Sequence, residues 1–177
     1  MRILLCGGAG YIGAHTYVEL VARGHRVHIA DNFSNSSPRV LGRLERITGQ
    51  PPVCHTLDLR DRAAIHALFD THAYDAVVHF AALKSVGESC ERPLDYFENN
   101  IGGTIHLLQA MRDAGVRRLV FSSSATVYGD PERVPIHEEA PLRVTNPYGR
   151  TKLVMEELIG DLCRADPDFQ VVNLRYF

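Results

Sequence analysis

Tyr148 and Lys152 stand four positions apart, and Ser124 lies 24 residues before the tyrosine. If Pro147 opens a helix, the phenol and the ammonium are i and i+4 neighbours about 5–6 Å apart at Cβ. A free tyrosine has a pKa of about 10, so work as a general base at about pH 7 needs about 4 kcal/mol of preference for the phenolate. A lysine ammonium at about 4 Å supplies roughly that much at an effective dielectric of about 20. A lowered Tyr148 pKa is therefore expected, with Ser124 as a hydroxyl partner for the same reacting oxygen. Each group also has a plainer use. Tyr148 and Lys152 fit a surface pair that supports a helix, and Ser124, the last of three serines from Ser122, fits a hydroxyl satisfying loop backbone.

Short apolar runs alternate with helical patterns along the chain. Strands are expected near 2–6, 26–30, 52–56, 75–80, 117–122 and 169–174, with helices filling the gaps. Runs such as Asp75–Phe80 and Arg118–Ser122 are apolar without alternation, as strands covered on both faces must be. The pattern predicts an α/β fold: a Rossmann-type doubly wound parallel sheet with helices on both faces. Over 94–113, Leu94, Phe97, Ile101, Ile105 and Leu108 fall on one helical stripe, and Gly115 sits where the helix should stop. Asn146 and Pro147 read as N-cap and first residue of the next helix, which ends before Pro167. Between Ser124 and Asn146 runs a long, proline-bearing connection, a length that usually has a functional reason.

Gly7, Gly10 and Gly13 form G-x-x-G-x-x-G between the first strand and its helix. The first permits a tight turn, the second lets backbone approach a pyrophosphate, and the third lets helix pack on strand. Amides at the helix start would hold the phosphates. Asp31, 18 residues after Gly13, ends the second strand, where a carboxylate takes ribose hydroxyls and repels a 2′-phosphate. NAD is thus favoured over NADP, and its oxidised nicotinamide would add a second positive charge beside Tyr148. Asp31 also fits a turn or capping aspartate ahead of Asn32, and Asp58 fits either an adenine contact or the cap of a helix over 61–71. Ligands of such sheets bind beyond the carboxyl ends of the strands. Those ends are Gly7–Gly13, Asp31, Asp58, Phe80–Lys84, Ser122–Ser124 and the chain terminus. Ala81 and Ala82 are small enough for a dinucleotide to lie against their backbone, Lys84 fits a solvated lysine, and Asn99 is a mid-helix asparagine that hints at a polar task.

Composition narrows the function classes. The chain has 177 residues, 45% of them hydrophobic, enough for one well-buried domain. With 19 basic and 21 acidic residues interspersed, it has no basic stripe for nucleic acid or an anionic membrane. Cys6, Cys54, Cys90 and Cys163 are scattered, with no C-x-x-C pair and no histidines at metal-ligand spacing. No metal site and no disulfide framework are expected. No run of about 18 apolar residues occurs. A soluble, unexported protein of the reduced cytoplasm, acting on a small molecule, is expected.

With these residues in this order, the chain resembles the extended short-chain dehydrogenase/reductase family, within it the sugar-nucleotide 4-epimerase branch. The matching stretches are Gly7–Thr16, Asp31–Asn32, His79–Ser89, Phe121–Asp130 and Pro147–Lys152. The resemblance implies that Tyr11 and Ile12 contact the pyrophosphate. Asp31, Asn32, Phe33, Ser34, Asn35 and Ser36 would surround the adenosine ribose, with Asp58 and Leu59 flanking adenine. Phe80, Ala81, Ala82, Leu83, Lys84, Asn99, Ser122, Tyr148, Lys152 and Phe177 would complete the NAD site. Tyr148, Ser124 and Lys84 would meet a UDP-sugar substrate.

The implied reaction interconverts UDP-glucose and UDP-galactose. Tyr148 removes the proton of the sugar 4-hydroxyl, Ser124 hydrogen-bonds that oxygen, and Lys152 depresses the phenol's pKa. The sugar is oxidised at C4 by hydride loss to NAD, rotates as a 4-keto species and is reduced on its other face. The resemblance also implies galactose metabolism and a homodimer through the helices near 94–113 and 147–165. Sugar-nucleotide 4,6-dehydratases carry an Asp-Glu pair where this chain has Ala125 and Thr126, which disfavours elimination of water. Two residues depart from the epimerase pattern: Cys6 for threonine and Thr151 for serine. Family members continue for about as many residues again as a substrate domain. Its absence from this chain is expected to leave the 177 residues poorly active alone. The competing readings are a non-catalytic NAD-binding module and another extended short-chain sugar-nucleotide epimerase.

Overall fold

The computed structural model describes residues 1–177. The apolar runs become β1 Arg2–Cys6, β2 Arg26–Asp31, β3 Val53–Thr56, β4 Ala76–His79, β5 Arg118–Ser124 and β6 Gln170–Tyr176. All neighbours pair in parallel, in the order β3-β2-β1-β4-β5-β6. In β1, Leu5 stands opposite Ile29 on one side and Val78 on the other. Strand order reverses between β1 and β4, and that crevice at the carboxyl ends is where open parallel sheets take ligands.

Why both faces of β1 are apolar is visible in the packing. Ile3 and Leu5 pack beneath α1 (Tyr11–Ala22) and α2 (Arg39–Thr48) with Tyr17 and Leu44. Leu4 and Cys6 face the opposite layer, built from α3 (Arg62–Thr71), α4 (Val86–Glu91), α5 (Pro93–Tyr96), α6 (Gly103–Asp113) and α7 (Pro147–Ala165); there Ile65, Leu107, Met111, Met155 and Ile159 form the larger core. The sheet is thus doubly wound. Coverage thins at β6, where Val172 is 54% exposed, unlike the two-sided burial expected of the strands.

Helix 94–113 departs from its expected register. A π-helical segment, Phe97–Gly102, lies between α5 and α6. The expected stripe is therefore buried only in its later part: Leu108 is in the core and Ile101 packs against it, but Leu94 is 82% exposed and Phe97 is exposed, while Tyr96, Asn100, Thr104 and Leu107 are buried instead. A π turn carries more residues than an α turn, so side chains before it are rotated away from a 3.6-residue pattern drawn through α6. Asn100, 3% exposed, holds the segment in place. Its Oδ1 accepts from Leu83 N–H at 2.8 Å, and its Nδ2 donates to Leu83 C=O at 2.9 Å and to Thr151 Oγ1 at 3.1 Å. One side chain thereby ties the segment after β4 to α7. The helix ends follow local chemistry: Asn146 Oδ1 caps α7 by accepting from Gly149 N–H, and Gly115, at φ 71°, turns the chain beyond α6.

Replacing Asn100 by Leu strands the Leu83 N–H and C=O, and each buried unpaired group costs about 1–3 kcal/mol. We expect a lower urea midpoint with an unchanged slope; a midpoint equal to the parent's would contradict this account of the segment.

Candidate functional site

A cavity of about 630 Å³ opens at the carboxyl ends of the strands. Its floor is the glycine turn. Gly7 has φ 74°, and a Cβ there would lie 2.6 Å from Ala81 N, so turn and neighbouring strand end touch through bare backbone. At Gly13 a Cβ would fall 2.3 Å from Gly7 O, which no side chain survives, so α1 meets the turn only because residue 13 is glycine. Gly10, Tyr11 and Ile12 line the cavity between them.

Asp31 organises the next wall. Its carboxylate is 9% exposed and accepts from Ala9 N–H at 2.9 Å, Phe33 N–H at 2.9 Å and Ser36 Oγ at 3.0 Å. It is at once the turn aspartate and the brace between glycine turn and β2 loop. Asn32 accepts from Ser34 N–H and donates to Asp58 at 3.0 Å. Asp58 is clasped by Arg60, whose hydrogen bonds hold its carboxyl well below the usual carboxylate range. The cap of α3 is not Asp58 but Asp61, which accepts from Ala64 N–H.

The segment after β4 forms the far wall. Phe80, Ala81, Ala82, Leu83 and Lys84 line the cavity with Asn99, which donates to Asn100 at 2.9 Å. The load-carrying asparagine of the pair is thus the buried one, which the sequence did not single out.

At the end of β5 the three serines divide three tasks. Ser122 offers its carbonyl to Lys152 Nζ at 2.7 Å, Ser123 donates to Glu156, and Ser124 Oγ accepts from Thr126 N–H at 3.2 Å and Thr126 Oγ1 at 2.9 Å. Lys152 is 4% exposed, its Nζ 4.9 Å from the Phe121 ring centroid and 6.0 Å from that of Tyr148. Burial pulls its pKa down to about 8 against the opposing pull of Glu156, one turn on. Tyr148 projects to the cavity beside Ser124, its N–H bonded to Ser89 Oγ at 3.2 Å. Here the expected lowering fails. Burial raises the phenol above its ordinary value, and the hydrogen bond with Ser124 only offsets this in part. Lys152 spends its ammonium on the Ser122 carbonyl, and desolvation of the phenolate outweighs what the neighbours return.

Ser122, Ser124, Tyr148, Lys152, Ser34, Asn35, Ser36, Asp58 and Leu59 also line the cavity, but Phe33 and Phe177 do not. Phe33 turns away at φ 57°, and Phe177 is 86% exposed, stacked on Tyr128. Tyr176, the last residue of β6, lines the cavity in its place. Sequence reasoning also missed Ala30, Leu57, Val86 and Thr126 on the lining, and Glu156 behind it. For Glu156 a signal existed: it lies four residues after Lys152 on the same helix face.

The chain matches the NAD dependent epimerase/dehydratase family over residues 3–177. It is 52% identical over 176 residues to a UDP-glucose 4-epimerase of Dictyostelium discoideum, covering 99% of this chain and 51% of that protein. Among solved structures, it superposes with TM-score 0.97 and 55% identity on a UDP-glucose 4-epimerase of Stenotrophomonas maltophila with bound NAD and formylated UDP-arabinopyranose, covering 100% of this chain and 53% of that one. With a Bifidobacterium longum UDP-glucose 4-epimerase in complex with NAD+ and UDP the TM-score is 0.98 at 46% identity, over 100% and 53% of the two chains. The chain spans about half the length of the curated relatives it matches.

Lys152 gives the site a pH signature. Unfolded, a lysine keeps its proton to 10.5, whereas folded Lys152 releases it near 8. Between those values the unfolded state binds more protons, so stability rises with pH. The parent's unfolding free energy minus that of Lys152→Met should climb by about 3 kcal/mol from below to above this window. A difference flat with pH in denaturant titrations would show the ammonium is not desolvated.

Proposed function

We propose, from the premise that the chain belongs to the NAD dependent epimerase/dehydratase family, that it carries the cofactor cradle and proton-transfer groups of a UDP-glucose 4-epimerase. We take residues 1–177 as one NAD-binding Rossmann domain. The observation that carries this reading is the convergence of Ser124, Tyr148 and a buried Lys152 on the cavity that the glycine turn floors.

The residues fit a dinucleotide. A Cβ at Gly7 or Gly13 would collide with backbone, so the turn presents bare amides to a pyrophosphate. Asp31 keeps a carboxylate at the end of β2 for a ribose hydroxyl, where a 2′-phosphate would be repelled. When bound, NAD supplies the hydride acceptor and donor for sugar C4 and, oxidised, a positive charge beside the phenol.

The chain's own groups manage the proton. Tyr148 Oη accepts it from the sugar 4-hydroxyl and later returns it. Ser124 Oγ, already fixed by Thr126, hydrogen-bonds the same sugar oxygen. Lys152 stays anchored on Ser122 and lends its charge to the phenolate as that forms. Because the protein's own groups leave Tyr148 above its ordinary value, the base is competent only with the oxidised cofactor beside it. Proton and hydride removal are thereby coupled. Ala125 and Thr126 offer no carboxyl for dehydration.

The similar proteins' printed names, UDP-glucose 4-epimerase, support UDP-glucose and its C4 epimer UDP-galactose as the substrate pair, and with them a role in galactose metabolism. A homodimer is supported by the exposed Leu94 and Phe97 beside α7. Cytoplasmic residence is supported by the four free cysteines. No helix is long and apolar enough to cross a membrane.

In the enzyme containing this chain, Tyr148→Phe should lower turnover of UDP-galactose by about 10²–10⁴-fold while NAD binding holds. Single-turnover reduction of bound NAD, read from NADH absorbance, checks it. Undiminished reduction would reassign the base, and loss of NAD binding would favour a purely structural tyrosine.

A further inference from the structure

Three histidines gather at the sheet's edge, none of them lining the cavity: His28 on β2, His55 on the edge strand β3, and His72 at the end of α3. Linear spacing hides them, since they lie 27 and 17 positions apart. Their ring centroids form a near-equilateral triangle of 5.2, 5.1 and 4.9 Å. One potential ligand nitrogen from each lies within 4.8 Å of the others.

Tautomers can be read from the hydrogen bonds. The single Thr71 hydroxyl proton goes to the carbonyl of Ala67 at 2.9 Å or Leu68 at 3.1 Å. With the proton so placed, Thr71 Oγ1 accepts from His72 Nδ1–H at 2.8 Å, the tautomer that leaves His72 Nε2 with its lone pair. His28 Nδ1 is oversubscribed: His55 Nε2 lies 3.1 Å from it and the Tyr74 hydroxyl 3.2 Å, yet it has one lone pair or one proton to share. His28 Nδ1 and His55 Nε2 can share one proton at this distance, and with the third ring beside them the same nitrogens can instead turn their lone pairs to a cation.

We propose that His28, His55 and His72 bind a divalent transition cation of the Zn²⁺ class, with water as fourth ligand. Imidazole suits zinc, and three neutral histidines with one open position make a four-coordinate shell. At Zn–N distances of about 2.0–2.1 Å, tetrahedral ligand nitrogens stand about 3.4 Å apart, so the longest separation must close by roughly 1.4 Å. All three rings are only part-buried and can turn to do so. Arg2 is the nearby charge that opposes a cation; Tyr74, whose phenol burial keeps protonated, offers a hydrogen bond to the metal-bound water. Thr71 orients His72 from behind, as outer partners of zinc histidines do. The metal would staple the four-residue edge strand β3, which pairs with β2 alone, to the end of α3.

Calorimetric titration of the metal-free chain with Zn²⁺ tests this. One equivalent should bind and raise the melting temperature. Thr71→Val should weaken binding about 10-fold and His55→Ala or His72→Ala by more than the roughly 100-fold ceiling of outer-partner changes. His137→Ala, on the long connection, should change nothing. If a variant fails to fold, imidazole NMR of the parent decides: Zn²⁺ must shift the His28, His55 and His72 resonances first. No saturable binding, binding that survives His55→Ala and His72→Ala, or shifts confined to other histidines would overturn the site.

Discussion

One buried ammonium constrains the reacting end of this molecule. Lys152 is 4% exposed, and a charge that far from water is tolerated only when its surroundings satisfy it. The Ser122 carbonyl and the Phe121 ring, neighbours on β5, and the Glu156 carboxylate on α7 do so. Satisfying Lys152 therefore fixes α7 against the end of β5. Tyr148 sits one turn before the lysine and Ser124 two residues beyond Ser122, so the same constraint delivers phenol and hydroxyl to one cavity wall. Glu156 is itself paired with Arg175 of β6 at 2.6 Å and with Ser123, which carries the constraint to the last strand.

Other buried polar groups play the same part around the cradle. Asp31 ties the glycine turn to the loop after β2, and Asn100 ties the segment after β4 to α7. The apolar core makes the sheet and its two layers, but it is indifferent to small shifts of loops at the rim. Directional bonds from three nearly buried side chains remove that freedom. The cavity is consequently shaped before any ligand arrives, the condition under which charge stabilisation is effective.

The strands and the cap of α7 were legible because their signals are local: apolar runs of strand length, and asparagine before proline. Gly7, Gly13 and Asp31 were legible because a strand–glycine turn–helix order leaves few alternatives. The π segment was not, since one extra residue in a turn changes which face is buried without changing composition. Asp58 looked like a cap, but the side-chain hydrogen bond from Ala64 N–H goes to Asp61. Tyr176 is the last residue of β6 and Phe177 the first beyond it, a boundary that sequence places only to within a residue or two. The histidine cluster was invisible for the opposite reason, being assembled by the parallel pairing of β2 with β3. The direction of the Tyr148 shift was misjudged because the distance argument counted the lysine's attraction and not the phenol's desolvation.

That last point bears on how the site works. In the proposed reaction, a phenol that burial holds above its ordinary pKa gains its basicity from the charge of the oxidised cofactor together with that of Lys152. Tyrosine labelled with ¹³C at Cζ allows the Tyr148 pKa to be followed by NMR before and after NAD+ is added. The account predicts ionisation above the ordinary value of 10.0 at first and a marked fall once NAD+ binds. A Tyr148 that titrates normally from the outset, or one unmoved by saturating NAD+, would contradict it.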